Sequence, residues 1–280
     1  MEPKNPDYKN FINRWAQIDR GYFFNEDLHQ VIWGVDVDEV LYNTSKELLN
    51  ASEQSPRGQK TKELLQTTMV ITEPRNCVIV NPARKLSKEY LKAELNWYLN
   101  GSQTIDMIKR HTSMWEKIAE NGKVNSNYGY FVFKEDIPNF QGSQFDWIIY
   151  SLKKDKDSRQ AIINFNNIHH KKHDIKDFVC TISTQYLIRN DELIGITNMR
   201  SNDLIYGFSY DFPWFSYLQQ KICSKLKDKY PDLKLGRNIH TAGSLHVYEK
   251  HYKMLENIIK EYDQKEIISK TLKEINLTSV

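Results

Sequence analysis

The sequence predicts an α+β fold built on a β-sheet flanked by helices. Two early segments carry apolar residues at helical spacing, and the stretch 178–200 is β-branched and aromatic with one polar interruption. Strands and helices then mix without the regular alternation that a doubly wound fold requires. Taking the elements in order, segments 37–53 and 86–100 read as helices, and Ser87 before Lys88-Glu89-Tyr90 supplies an N-cap for the second. Segments 161–165 (AIINF), 178–188 (FVCTISTQYLI) and 193–200 (LIGITNMR) read as strands. The last two are separated by Arg189-Asn190-Asp191-Glu192, so they form a β-hairpin. The aromatic stretch 210–226 is helical, with Pro213 near its start.

Residues 1–35 read as an N-terminal extension and 36–280 as one domain, with no repeat, low-complexity tract or Gly/Ser-rich linker to divide the latter. The 280 residues, 40% of them hydrophobic, can bury a core of ordinary size. Basic and acidic residues nearly cancel, 39 against 36, which excludes the polyelectrolyte character of a non-specific nucleic-acid binder. Any bound phosphate would be held by a few placed arginines. No apolar run approaches the roughly 18–20 residues of a membrane span, and the first residues lack a signal-peptide core, so a cytoplasmic location is expected. Cys77, Cys180 and Cys223 lie far apart without C-x-x-C spacing, which argues against a disulfide framework or a structural zinc site.

Cys180 stands out among them. A buried cysteine in a strand-like run is ordinarily small hydrophobic filler. Here Arg200-Ser201-Asn202-Asp203 follows at the end of the hairpin's second strand, where pairing can bring a guanidinium beside the thiol. An arginine in that place favours the thiolate and can also grip a phosphate bidentately. Taken alone, Glu94 on its amphipathic helix reads first as a surface or helix-pairing carboxylate, Trp115 as a core residue and Tyr128 as the cap of a turn. His246 and Tyr248, two apart in a strand-like run, point to one face.

The motifs come in a distinctive order. Asp177-Phe178-Val179-Cys180-Thr181, Gln185-Tyr186, Asn198-Met199-Arg200-Ser201-Asn202-Asp203 with Gly207, and His240 to Tyr248 follow Glu94 in AELNWYLNGS, Trp115 in MWEKIAENG, Asn125 to Gly129 and Asp157-Ser158-Arg159. Over roughly residues 55–255 this resembles the thymidylate synthase superfamily, and within it the branch that hydroxymethylates cytosine nucleotides. The resemblance implies a mixed sheet through which the chain forms a homodimer. It implies 5,10-methylenetetrahydrofolate as co-substrate, no metal, and dCMP or CMP as substrate.

It also implies roles. Cys180 would add to C6 of the pyrimidine, which makes C5 nucleophilic. Glu94 would order water and assist proton transfers, and Tyr128 would organise water near C5. Arg57, Arg200, Ser201 and, from the other subunit, Arg159 would hold the phosphate. His246 and Tyr248 would bind the sugar 3′-hydroxyl; Trp115, Asp203 and Gly207 would serve the folate. Gln160 stands where the family carries a second arginine, which puts the geometry of phosphate binding in question.

Position 211 is the most informative. Thymidylate synthases carry asparagine there, which matches the N3–H and O4 of uracil, whereas this chain has Asp211. A protonated carboxyl can donate to N3 of cytosine and accept from its 4-amino group, and burial would keep it protonated. Asp211 as N-cap of the helix beginning at Phe212-Pro213 is the plainer alternative. Thr181, where thymidylate synthases usually have histidine, also accords with the cytosine branch. The expected reaction is therefore 5-hydroxymethylation of a cytidylate. Thymidylate synthase or deoxyuridylate hydroxymethylase activity is the enzymatic alternative, and a silent nucleotide- or RNA-binding homologue the non-enzymatic one.

Overall fold

The computed structural model describes residues 30–277, with side chains through residue 266. An eight-stranded mixed sheet organises it. In chain order the elements are β1 (Val31–Gly34), α1 (Val37–Asn50), β2 (Glu53–Gln54), β3 (Thr61–Ile71), α2 (Lys88–Asn100), α3 (Met114–Ile118), α4 (Tyr128–Phe133) and α5 (Gln144–Lys154). There follow β4 (Ile162–Asn164), β5 (Thr181–Arg189), β6 (Glu192–Met199), β7 (Asn202–Asp203), α6 (Ser209–Leu226), β8 (Lys234–Tyr248) and α7 (Tyr252–Leu277). The strand order is β1-β3-β8-β6-β5-β4, with β2 on β3 and β7 on β8.

The expected helices are present, and local chemistry sets their ends. Asp36 caps α1 by accepting from Glu39 N; the helix stops at Asn50, and Glu53–Gln54 pairs with β3 instead of continuing it. Ser87 caps α2 by accepting from Tyr90 N at 3.1 Å, and α2 ends on Gly101 in the left-handed conformation, φ 67°. A Ser143/Asp146 capping box starts α5. The expected extension over residues 1–35 falls outside the described residues up to 29, and its final stretch, Val31–Gly34, pairs in parallel with β3. Its apolar alternation, with Ile32 buried and Val31 and Trp33 exposed, is that of an edge strand.

Two apolar clusters fill the space beneath the helices. One gathers Trp97, Tyr128, Phe165, Tyr186, Trp214, Phe215 and their neighbours around α2, α4, α5 and α6. The other gathers Leu41, Leu48, Leu64, Met69, Phe208, Phe212, Leu245 and Leu255 around α1, α7 and β3. Strands β5 and β6 alternate strictly: Thr184, Tyr186 and Ile188, then Leu193, Gly195, Thr197 and Met199, are buried. The residues between them, among them Leu187, Ile194 and Ile196, stay half-exposed on the opposite face. None of the described helices is long and apolar enough to cross a membrane.

The β5–β6 hairpin positions the site. Its register sets Thr181 opposite Met199, with a bulge between Thr181 and Ser183, so Cys180 sits just ahead of the strand and not inside it. Parallel pairing of β7 with β8 then sets Asp203 beside His246.

Gly129 marks the tightest approach. A Cβ there would lie 1.5 Å from Tyr98 O, so the backbone of α4 touches that of α2 where only hydrogen fits. Gly129→Ala should therefore lower stability by more than about 2 kcal/mol, because neither helix backbone can yield without moving Tyr128 or Glu94. Denaturant unfolding would check this; a midpoint equal to wild type would show the helices can separate freely.

Candidate active site

Cys180 and Arg200 meet as the hairpin expectation required. Arg200 N donates to Cys180 O at 2.9 Å, and its Nη2 lies 3.4 Å from Cys180 Sγ. The guanidinium is anchored from below, Nε donating to Val179 O at 3.2 Å and Nη2 to Phe178 O at 2.7 Å, and it rests over the Phe178 ring. Burial pushes the Cys180 thiol up; Arg200 and Arg57 pull it down, and Asp211 and Asp177 push it up again. Burial is the largest of these influences, and the thiol lies above its ordinary value.

The stretch ahead of Cys180 is tied to the chain that carries Tyr128. Asp177 accepts from both the backbone N–H and the hydroxyl of Ser126, and its carbonyl accepts from Asn125 Nδ2 at 2.9 Å. Asn127 caps α4 by accepting from Tyr130 N, so Tyr128 is free of any capping duty. Tyr128 is 4% exposed among Tyr98, Phe165 and Phe215, and burial raises its hydroxyl well above the ordinary range.

Two carboxyl groups face this centre, Glu94 buried and Asp211 half-buried. Glu94, on the inner side of α2, accepts from Tyr90 OH at 2.7 Å, and Tyr90 OH in turn accepts from Trp115 Nε1 at 3.0 Å. Burial pushes Glu94 up to about 8, and the nearby Asp211 adds to the shift. Asp211 lies within the first turn of α6, not at its N-cap. The helical path begins earlier, in a wide π turn at Leu204–Phe208 that Asp203 caps. Burial pushes Asp211 up to about 6, against the opposing pull of a hydrogen bond from Asn202 Nδ2 at 2.8 Å.

The remaining predicted residues divide. His246 and Tyr248 stand on one face of β8 with ring centres 5.5 Å apart. Arg57 sits in the left-handed region, φ 53°, on an exposed turn between β2 and β3, near enough that its charge opposes the upward push of burial on Tyr248 and Cys180. Ser201 follows Arg200, half-exposed. Asp203 uses Oδ1 to accept from the backbone of Ile205 and Tyr206, while Oδ2 is buried without a partner among the described residues. Trp115 is 4% exposed and acts behind Tyr90. Gly207 has a steric role: a Cβ there would meet Asn202 Nδ2 at 2.6 Å.

Arg159 is not brought to Cys180 in this chain. Its carbonyl accepts from Gln185 Nε2 at 2.8 Å, and its side chain is exposed in a groove with Arg189, Trp147 and Tyr150. Among the described residues, no group of His, Cys, Asp and Glu is arranged to hold a metal ion.

A second cavity of about 460 Å³ opens beside Glu94's partner, lined by Tyr90, His111, Lys117, Tyr206, Tyr210 and Lys250. Behind Tyr210 lies Arg84, buried, its Nε donating to Ser209 Oγ at 3.0 Å and its Nη2 to Ile205 O at 2.6 Å. Aromatic walls with Lys117 and Lys250 at the rim suit a flat ring bearing a negatively charged tail. Sequence reasoning missed Tyr90, Arg84 and the Asn202–His240 contact. Tyr90 was findable, being one helical turn before Glu94; the others depend on contacts between distant segments.

The family model for thymidylate synthase matches residues 40–278. Deoxycytidylate 5-hydroxymethyltransferase of Enterobacteria phage T4 is 34% identical over 208 residues, covering 71% of this chain and 80% of that one. Deoxyuridylate hydroxymethyltransferase of Bacillus phage SP01 is 27% identical over 223 residues, 74% of this chain and 56% of that one. Thymidylate synthase of Baumannia cicadellinicola subsp. Homalodisca coagulata is 27% identical over 175 residues, 60% and 62% of the two chains.

The buried Glu94 carboxyl has a consequence for stability. Folding raises it from 4.5 to about 8, so the native protein keeps a proton that the unfolded chain has released. Stability is fully present below the unfolded value and is lost as pH rises through about 8. Glu94→Gln cannot ionise and should melt higher than wild type, by roughly 2–4 °C for each kcal/mol gained. The gap should be widest near about pH 9 and small near about pH 5. Melting curves at both pH values would test it; a constant gap would mean that Glu94 is not held protonated by burial.

Proposed function

The chain belongs to the thymidylate synthase family, whose members transfer a folate-borne one-carbon unit to a pyrimidine, and on that premise we propose that it makes a 5-hydroxymethylcytosine nucleotide from dCMP or CMP. The observation that carries the choice of base is Asp211, a carboxyl held near about 6 by burial, electrostatically coupled to Cys180 and Glu94. A carboxyl that keeps its proton can donate to cytosine N3 and accept from N4, a pattern that uracil answers with the wrong groups at both positions.

Cys180 is the nucleophile in this reading. Its sulfur adds to C6 and converts C5 into an enamine carbon, which the ring needs before it can form a bond to carbon. Arg200, 3.4 Å from Sγ, stabilises the thiolate and, with Ser201 and Arg57, holds the phosphate. Methylenetetrahydrofolate supplies the one-carbon unit, and the cavity between Tyr90, Tyr206 and Tyr210, with Arg84 behind it, suits that ligand. The family resemblance assigns Asp203 and Gly207 to the same ligand, and Trp115 orients Tyr90. Glu94, protonated to about 8, donates and retrieves protons near C5, with Tyr128 ordering water beside it. His246 and Tyr248 receive the sugar hydroxyl.

A homodimer completes the site. The half-exposed face of β5 and β6 carries Leu187, Ile194 and Ile196, and Arg159 lies at its border beside Gln185, away from Cys180. Packing of two such faces would deliver each Arg159 to the other chain's phosphate.

Parallel incubation with methylenetetrahydrofolate and CMP, dCMP, UMP or dUMP, with products read by mass, tests base, sugar and product together. Cytosine nucleotides should gain a hydroxymethyl group; a methylated uracil product would overturn the reading. Cys180→Ala should abolish both product and C5-hydrogen exchange while leaving nucleotide binding intact, whereas Cys77→Ala and Cys223→Ala remain active.

Asp211→Asn should shift relative kcat/KM from cytosine towards uracil by roughly tenfold to a hundredfold or more, the effect of leaving a buried polar group unpaired. Wild-type kcat/KM for cytosine should decline as pH rises past about 6, where free Asp211 loses its proton. The decline in kcat should come at higher pH, because bound cytosine favours the protonated form. The Asn variant should lack this limb. Its persistence there would assign the limb to another group.

Mixing inactive Cys180→Ala with inactive Arg159→Ala chains should restore partial activity, since one site of a mixed dimer is then intact. If mixed dimers form without rescue, the site is not shared.

A further inference from the structure

Asn202 and His240 take no part in the chemistry above, yet both are buried beside Asp211, 3% and 0% exposed. Asn202 lies on β7 and His240 on β8, held against Thr197 of β6. Asn202 Nδ2 donates to Asp211 Oδ2 at 2.8 Å, and Asn202 Oδ1 faces His240 Nε2 at 3.1 Å. A carboxamide donates from one end and accepts at the other, so the chain of contacts has one direction. With Nδ2 spent on Asp211, Oδ1 must accept, and His240 Nε2 must carry the hydrogen.

The surroundings enforce that polarity. His240 Nδ1 is buried without a partner among the described residues, and the ring is packed against Phe208 and Phe215. Burial pushes its pKa down to about 3, so the ring stays neutral with its single hydrogen on the nitrogen that has an acceptor. Gly207 leaves the space: a Cβ there would lie 2.6 Å from Asn202 Nδ2 and 3.2 Å from Asp211 Oδ2, displacing the link.

We propose that Asn202 and His240 are positioning residues that hold Asp211 Oδ2 permanently as an acceptor, so that Oδ1 is the oxygen that carries the proton offered to the base. The inference rests on Asp211 as base reader. The hydrogen count closes: Oδ1–H donates to cytosine N3, and the two lone pairs of Oδ2 accept from Asn202 Nδ2 and from the 4-amino group. Without His240 the carboxamide is free to turn over. Asp211 then can donate to Asn202 Oδ1 and present a bare Oδ1 to the N3–H of uracil, so discrimination relaxes.

Titration of Asp211 is also felt by Glu94 of α2, Tyr98 of α2, Tyr128 of α4 and Cys180, while Asp203 of β7 raises Asp211 itself. The test therefore separates Asp211 from these groups by observing its carboxyl carbon by 13C NMR in the intact protein. It adds the cytosine-to-uracil ratio of kcat/KM. His240→Phe should lower that ratio about tenfold, the equivalent of one lost buried partner, and His240→Gln, which keeps a donor, should restore most of it. Asn202→Ala should lower the ratio likewise and move the Asp211 titration to higher pH, because the hydrogen bond it removes favours the charged form.

If His240→Phe and His240→Gln are equally impaired, or if Asn202→Ala leaves both ratio and titration where they were, the positioning role is wrong. Should His240→Phe fail to fold, Asn202→Ala decides alone. Asp211→Asn runs alongside: an unchanged ratio there sinks the base-reader assignment itself, whereas a changed ratio with inert Asn202 and His240 variants sinks only this proposal.

Discussion

Strand β6 is the constraint on which the arrangement depends, because it pairs antiparallel with β5 on one side and parallel with β8 on the other. The first pairing closes Arg200 N on Cys180 O and brings thiol and guanidinium together. The second sets His240 beside Thr197, in reach of Asn202 just beyond the end of β6. A slip of one residue in either register would turn Tyr186, Ile188, Leu193 and Met199 out of the core, so the same burial that stabilises the sheet also fixes the geometry of the site.

Burial then does the electrostatic work. Glu94 and Asp211 sit with Tyr98 and Tyr128 where no lysine or arginine makes an ion pair with either carboxyl among the described residues, and both carboxyls are pushed towards their neutral forms. A carboxylate beside a cation would be an acceptor only. The protein instead keeps Arg200 and Arg57 near Cys180, apart from the two carboxyls. The separation costs stability as pH rises from the unfolded carboxylate range through about 6 for Asp211 and about 8 for Glu94, which the folded state tolerates because the two apolar clusters carry the fold.

The side of Glu94 that faces the cavity is built differently. Trp115 to Tyr90 to Glu94 is a relay running from a buried indole through a cavity-lining phenol to the protonated carboxyl. Tyr90 thus touches the cavity and the acid at once, so whatever fills the cavity bears directly on the Glu94 hydrogen bond. On the opposite side of the sheet, the carbonyl contact from Gln185 and the Trp147 Nε1 bond to Gln160 O hold the Arg159-Gln160 segment in place. The Arg159 side chain is thus exposed on a fixed backbone.

The sequence by itself determined the local elements and what they bring together. Ser87 and the apolar spacing defined α2 with Glu94 inside it, and the polar turn at 189–192 defined the hairpin that joins Cys180 to Arg200. These were legible because capping, periodicity and hairpin pairing involve residues close in the chain. The motif order also pointed to the family. Tertiary structure alone decided what surrounds them. That Val31–Gly34 joins the sheet depends on β3, and that Asp211 is no N-cap depends on the π turn capped by Asp203. The link from His240 through Asn202 to Asp211 joins three segments whose spacing carries no signal. Which oxygen of a carboxyl accepts, and whether it keeps its proton, depends on what water is excluded and which partners remain, and both are properties of the packed chain.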